Sequence, residues 1–168
     1  MTPQILEFIH QNVTNTYVGN VLEVGSFNVN GTVRTALQHL AKSYIGTDIT
    51  PGNCVDIVID AEQLLTFFKP KQFDTIVCCE CLEHCLHPWL IIEAIRILLK
   101  PNGYLWISTP TFDFPEHRFP IDCYRFGIDT YYKYFFKDME ILNIDTVADC
   151  NQHHCIVGVA RNGLPAHP

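Results

Sequence analysis

The stretch Val21-Leu22-Glu23-Val24-Gly25, followed by Ser26-Phe27-Asn28-Val29-Asn30-Gly31, decides the fold. Val21 to Val24 form a short apolar strand, and Gly25 ends it. Asn30-Gly31-Thr32 then opens a helix in which Val33, Ala36, Leu37 and Leu40 repeat at helical spacing. Asn30 is the expected cap, its side chain accepting from a free backbone N–H. A strand, a glycine turn and a helix in succession form the first unit of an alternating α/β chain.

The same alternation continues outward. Tyr44-Ile45-Gly46-Thr47 reads as a second strand closed by Asp48, and Thr50-Pro51-Gly52-Asn53 as a turn. Val55-Asp56-Ile57-Val58-Ile59 is a third strand closed by Asp60. Residues 62–69 form a short helix stopped by Pro70. Residues 73–79 are almost wholly apolar after Asp74, as expected of a fourth strand covered on both faces. Asp74 itself reads as a strand-start residue. Pro88 suits the first turn of the clearest helix, whose predicted apolar face is Leu90, Ile91, Ala94, Ile95 and Leu98. Pro101-Asn102-Gly103 stops it, and residues 104–108 are a fifth strand.

On the N-terminal side, residues 3–11 carry a short helix signal and residues 12–20 a connector. Past the fifth strand, residues 109–126 form a long connection whose aromatics argue for order. Residues 128–136 read as helical, and residues 139–147 and 155–160 as two closing strands. Residues 1–168 are therefore expected to form a single domain. Its predicted fold is a doubly wound, mostly parallel seven-stranded sheet with an antiparallel edge strand and helices on both faces.

Composition narrows the function. A net charge of −7 and the absence of a basic run disfavour a nucleic-acid partner. No apolar stretch approaches the roughly 20 residues that span a bilayer, and residues 1–10 do not resemble a secretion signal. The expectations are no membrane partner and a cytoplasmic location. The eight cysteines then read as reduced thiols, several of them small core hydrophobes. Cys79, Cys81, Cys85, His87 and the segment holding Cys150, His153, His154 and Cys155 are the candidate metal ligands. They lack two separated Cys-x-x-Cys pairs, so no metal is expected.

In open parallel sheets, ligands bind beyond the carboxyl ends of the strands. Those ends carry Glu23 to Gly31, Asp48, Asp60-Ala61, Cys79-Glu80 and Thr109-Pro110. Acids thus gather on one edge. An acid closing the second strand can accept from both ribose hydroxyls, and one closing the third from an adenine amino group. A dinucleotide fingerprint G-x-G-x-x-G would need glycine at positions 27 and 30, where Phe27 and Asn30 stand. Acidic surroundings suit a cationic sulfonium better than a polyanion.

The ordered set Val21 to Gly25, Gly46-Thr47-Asp48, Asp56 to Ala61, Phe73 to Val77, Leu82-Glu83-His84, Arg96 to Gly103 and Ile107 to Pro110 resembles the class I methyltransferases. The type 11-like small-molecule group is the most similar. The resemblance covers about residues 20–110 and implies S-adenosylmethionine as cofactor. It places the methionine part at Glu23, Gly25, Ser26, Phe27 and Asn28, the ribose at Asp48 beside Ile49, the adenine at Asp60 and Ala61, and the methionyl side at Cys79 and Glu80. The family's first turn is E/D-x-G-x-G-x-G; this chain has Phe27 and Val29 at the later glycine places, with Asn28, Asn30 and Gly31 available for the turn.

The implied reaction is displacement of the sulfonium methyl by an oxygen or nitrogen of a small-molecule acceptor. Pro115 to Phe126 should pass over the active edge, either facing substrate or as a structural loop held by a His117–Asp122 or Asp122–Arg125 pair. His117 and then His84 are the candidate bases. No insertion caps the edge, which leaves it open or completed by a partner chain such as a second copy. Two rivals stay in view: an inactive methyltransferase-like binding module, and a nicotinamide-dependent oxidoreductase.

Overall fold

The computed structural model describes residues 1–13 and 18–163. Seven strands form one sheet: β1 (Gly19–Val24), β2 (Ala41–Asp48), β3 (Ile57–Val58), β4 (Phe73–Cys79), β5 (Leu99–Pro110), β6 (Met139–Ala148) and β7 (His154–Asn162). Their order is β3-β2-β1-β4-β5-β7-β6. The first five run parallel. β7 lies antiparallel between β5 and the outermost β6, so the two closing strands make the antiparallel pair at that edge.

Residue alternation divides the core into two layers. Leu22, Val24, Ile76, Cys78, Leu105 and Ile107 point to the face covered by α3 (Leu64–Phe67) and α4 (Pro88–Leu98). Val21, Val77, Cys79 and Trp106 point to the opposite face, against α1 (Pro3–Val13) and α2 (Arg34–Leu37). Both faces being covered is why the central strands read as continuous apolar runs. No helix among the described residues is long and apolar enough to cross a membrane.

Several expected elements differ in extent. The predicted helix after Gly31 is a single turn, and Asn30 does not cap it. Asn30 Oδ1 accepts from the Met1 amino group, and Thr32 Oγ1 takes the Arg34 amide at 3.1 Å. The preceding turn consumes the chain as well, with Asn28 Oδ1 accepting from Gly31 N at 2.9 Å. Leu40 falls beyond the turn and is exposed. The third strand is shorter than expected; Asp56 before it meets β2 through its N–H, which donates to Gly46 O at 2.8 Å, and through its carboxylate, which accepts from Gly46 N at 2.7 Å and pairs with Arg34. In α4, Leu90 lies outside the buried stripe and Ile92 inside it. The predicted connector over residues 12–20 contains the last residues of α1 and the start of β1; residues 14–17 lie outside the described residues.

The segment after the long connection begins with one α-turn, α5 (Ile128–Thr130), and widens into a π-helical turn over Tyr131–Phe135. Buried Tyr131 ties it to the sheet through Thr109 Oγ1 and Ile156 O, both at 2.9 Å.

Asp74 stands at the strand end remote from the acids that close β2 and β3. It accepts from Asn20 N at 2.9 Å and from Lys100 Nζ at 2.9 Å with both oxygens. Removing it leaves a half-buried N–H and an ammonium unmatched. Asp74→Ala is expected to lower stability by about 1–3 kcal/mol in chemical denaturation; an unchanged midpoint would contradict this role.

Candidate functional site

The carboxyl ends of the parallel strands surround a cavity of about 510 Å³. Of the residues assigned from sequence, Glu23, Gly25, Ser26, Phe27, Asp48, Ile49, Asp60, Ala61, Cys79, Glu80, His84 and His117 all line it. Asn28 does not: its side chain is turned to Gly31 N, and its own N–H donates to Asn53 O at 3.0 Å.

The first turn is held by its own backbone. Gly25 N and Ser26 N both donate to Thr47 O at 2.9 Å, and Phe27 N donates to Asp48 Oδ2 at 3.2 Å. These amides are engaged inside the protein and form no cradle for a pyrophosphate. Gly25 has φ +76°, and a Cβ there would lie 2.7 Å from the side chain of Cys81. The glycine is required by this packing and by its dihedral, beyond any need to approach a ligand.

Asp48 accepts from Phe27 N and, at 2.8 Å, from Thr50 N. These bonds fix the carboxylate on the cavity rim and leave lone pairs for a ligand's hydroxyls. Asp60 caps the short turn Ala61–Gln63, its Oδ1 accepting from Glu62 N at 2.9 Å. Its second oxygen remains for a donor in the cavity. Glu23 is buried, accepts from Tyr44 Oη at 2.8 Å, and is pushed up to about 7 by burial. Glu80 accepts from Ser108 Oγ at 3.0 Å and is likewise pushed up to about 7 by burial, aided by the Glu83 carboxylate.

Phe27, standing at a family glycine place, has a visible role. Its ring stacks on Phe119 with centroids 5.9 Å apart and planes at 22°. The ring lies so close over Gly52 that a Cβ there would come within 2.1 Å of it. The connection over residues 111–127 is thereby clipped to the first turn across the cavity mouth.

The same connection is anchored from within. Glu83 O accepts from Cys123 N at 2.8 Å and from Tyr124 N at 3.3 Å. Asp122 takes the His117 amide at 2.7 Å and both terminal nitrogens of Arg125, which holds it well below the usual carboxylate range. Arg125 also donates to Phe114 O and Pro115 O. The structural pair expected from sequence is therefore present, and it leaves the His117 side chain facing the cavity. The Glu83 carboxylate holds His117 above its ordinary value.

Sequence reasoning treated Glu83 only as part of a family signature and missed its position. It sits fully buried under His84 and His117, in the turn Leu82–His84. Its adjacency to His84 in an otherwise apolar segment was the available signal. The Cys81 and Cys85 thiols are neighbours, but the candidate cysteines and histidines form no group of three among the described residues. All eight thiols are unpaired, His87 binds Glu62, His153 binds Asp149, and His154 binds Asp113.

A model of the methyltransferase-domain family matches residues 1–159. The chain belongs to that family. Among individual methyltransferases, the ubiquinone biosynthesis O-methyltransferase of Histophilus somni (strain 2336) is 31% identical over 126 residues, covering 65% of this chain and 52% of that protein. The corresponding protein of Xylella fastidiosa (strain M23) is 32% identical over 122 residues, covering 65% and 48%. The chain spans about half the length of the curated relatives it matches.

In the fold, this methyltransferase-family chain is similar to the Burkholderia thailandensis 1,6-didemethyltoxoflavin-N1-methyltransferase, solved with 1,6-didemethyltoxoflavin and S-adenosylhomocysteine. That match has a TM-score of 0.74 at 15% identity and covers 96% of this chain and 78% of that one. The N-methyltransferase NodS of Bradyrhizobium japonicum WM9, solved with S-adenosylhomocysteine, gives 0.72 at 18% identity over 95% and 85%. The resemblance to class I methyltransferases read from the motifs is borne out.

Burial of Glu23 has a measurable sign. Its folded-state value of about 7 lies above its ordinary 4.5, so the fold favours the protonated acid. Its contribution to stability is highest below pH 4.5 and falls as pH rises from 4.5 through 7, by about 3 kcal/mol in all. Comparing urea midpoints of wild type and Glu23→Gln across that window is expected to show the wild type losing more stability with rising pH. Parallel curves would contradict this.

Proposed function

We propose that the chain is an S-adenosylmethionine-dependent methyltransferase acting on a small-molecule acceptor, with the activity carried by a single domain. The observation that carries this reading is the meeting of Glu23, Asp48, Asp60 and Glu80, distant in sequence, on one cavity at the carboxyl edge of the sheet. Family membership and the cofactor product in the related structures support it.

The chain's own residues fit the cofactor. Asp48 and Asp60, each anchored by backbone amides, accept from ribose hydroxyls and from the adenine amino group. Ile49 and Ala61 offer apolar surface beside them, and the backbone at Gly25, Cys79 and Glu80 lines the methionyl side. The carboxylates of Asp48 and Asp60 favour a positive charge in the cavity over a polyphosphate. S-adenosylmethionine brings a methyl group already activated on a sulfonium sulfur, so the protein contributes chiefly orientation and exclusion of water.

The acceptor side is assigned to His117 and His84. Both side chains line the cavity, from the connection and from the turn after β4, with the Glu83 carboxylate beside their Nε2 atoms, and they relieve an acceptor hydroxyl of its proton or hold what does so. The curated relatives are named as O-methyltransferases, which supports an oxygen nucleophile. The cytoplasm suits a chain whose eight thiols are unpaired.

Isothermal titration of the purified protein with S-adenosylmethionine is expected to show one site. Asp48→Ala is expected to weaken binding by about ten- to a hundredfold, the value of hydrogen bonds to a charged acceptor. A well-folded wild type that binds no S-adenosylmethionine would overturn the cofactor assignment. Binding without methyl transfer to any of a broad acceptor panel would favour the inactive binding module.

A further inference from the structure

Glu83 stands out among the buried polar groups. Its side chain has no exposure, yet neither carboxylate oxygen has a hydrogen-bond partner among the described residues. Burying a carboxylate without compensation is costly, so such a group implies something that binds it. Its nearest polar neighbours are His84 Nε2 at 3.6 Å and His117 Nε2 at 3.7 Å, both measured from Oε1. Those distances are too long for hydrogen bonds and right for three ligands around a common centre.

The tautomer of His84 points the same way. His84 Nδ1 lies 2.6 Å from Ile121 O, and His117 Nδ1 lies 3.2 Å from Pro115 O and 3.6 Å from Asp122 Oδ2. A ring nitrogen against a carbonyl alone carries the proton, so in the neutral His84 ring Nδ1–H donates outward and the Nε2 lone pair faces Glu83, whereas His117 Nδ1 also has the Arg125 guanidinium at 3.5 Å. A histidine whose second nitrogen donates to a backbone carbonyl is the usual arrangement of a metal ligand. Arg125 is turned onto Asp122 and the carbonyls of Phe114 and Pro115, with one guanidinium nitrogen 3.5 Å from His117 Nδ1. The Glu80 carboxyl lies close enough to Glu83 for the two to repel each other's charge.

We propose that Glu83, His84 and His117 form a binding site for a divalent first-row transition cation at the acceptor end of the cavity. Their ligand atoms lie within 4.8 Å of one another, and they are the only such group of three found among the described residues. Two imidazoles and one carboxylate suit zinc, cobalt or manganese better than calcium or magnesium. Three protein ligands leave coordination positions open, and His84 and His117 line the cavity into which those positions open. In the methyl-transfer reading, on which this last step rests, such a position takes the acceptor's hydroxyl oxygen and lowers its pKa. The site then selects oxygen acceptors.

None of the three is among the cysteines and histidines that the sequence offers as candidate ligands. Each ligand comes from a fixed element: Glu83 and His84 from one short turn, His117 from the connection that Glu83's own carbonyl anchors. A bound cation would therefore tie the connection to the sheet at a second point.

The test uses chelator-treated, metal-free protein titrated with Co²⁺ and followed by visible absorption and calorimetry. The expected result is one equivalent bound, with d–d bands of nitrogen and oxygen ligation and no thiolate charge-transfer band. His84→Ala and His117→Ala, each checked for an unchanged melting transition, should lose at least about tenfold in affinity. Absence of binding by folded wild type, unchanged affinity in both histidine variants, or a thiolate band would overturn the proposal. S-adenosylmethionine is titrated separately into the same metal-free wild type. Cobalt binding without cofactor binding would uphold the metal site and overturn the cofactor reading.

Discussion

The reversal of strand order between β1 and β4 is the constraint on which the rest of the structure depends. From β1 the chain moves outward through β2 and β3, then returns to the other side of β1 and moves outward again through β4 and β5. The connections leaving β1 and β4 must therefore diverge to opposite faces of the sheet, and a crevice opens between them. Residues that close β1, β2 and β4, and the acid that follows β3, are delivered to that crevice whatever their distance in sequence. Glu23, Asp48, Asp60 and Glu80 meet there because topology brings them, and the backbone bonds at Thr47, Phe27, Thr50 and Glu62 hold their turns in place.

The second layer of organisation is the connection over residues 111–127. A strap of this length without regular structure stays ordered only if its polar groups are satisfied. Asp122 and Arg125 do that from inside, Glu83 O anchors it to the turn after β4, and the Phe27–Phe119 stack fastens its far side to the turn after β1. The chain has exchanged a glycine's freedom at position 27 for an aromatic clasp, and Gly52 leaves the space that this ring needs.

Much of this was legible in the sequence because its signals are local or periodic. The doubly covered strand at residues 73–79 has the predicted bounds, and the acids at strand ends follow from where the strands stop. What escaped has non-local causes. The helix after Gly31 was overestimated because its apolar spacing says nothing of the Met1–Asn30 and Asn28–Gly31 bonds that use up its start. The third strand is shorter than its apolar run, and the Arg34–Asp56 pair at its start joins two elements that the sequence does not connect. Glu83 reads as one more charged residue at a helix entrance until a three-residue turn is seen to drive it inward. Asn28 was assigned to the cofactor by its place in a motif, whereas its side chain serves the turn itself.

The central claim is that carboxylates closing adjacent parallel strands grip one adenosine. A crystal structure grown with S-adenosylhomocysteine addresses it most directly. The account predicts ribose hydroxyls within about 3 Å of Asp48 Oδ atoms and the adenine ring against Ala61 with its amino group at Asp60. A nucleoside seated elsewhere, or one that leaves Asp48 and Asp60 untouched, would contradict it.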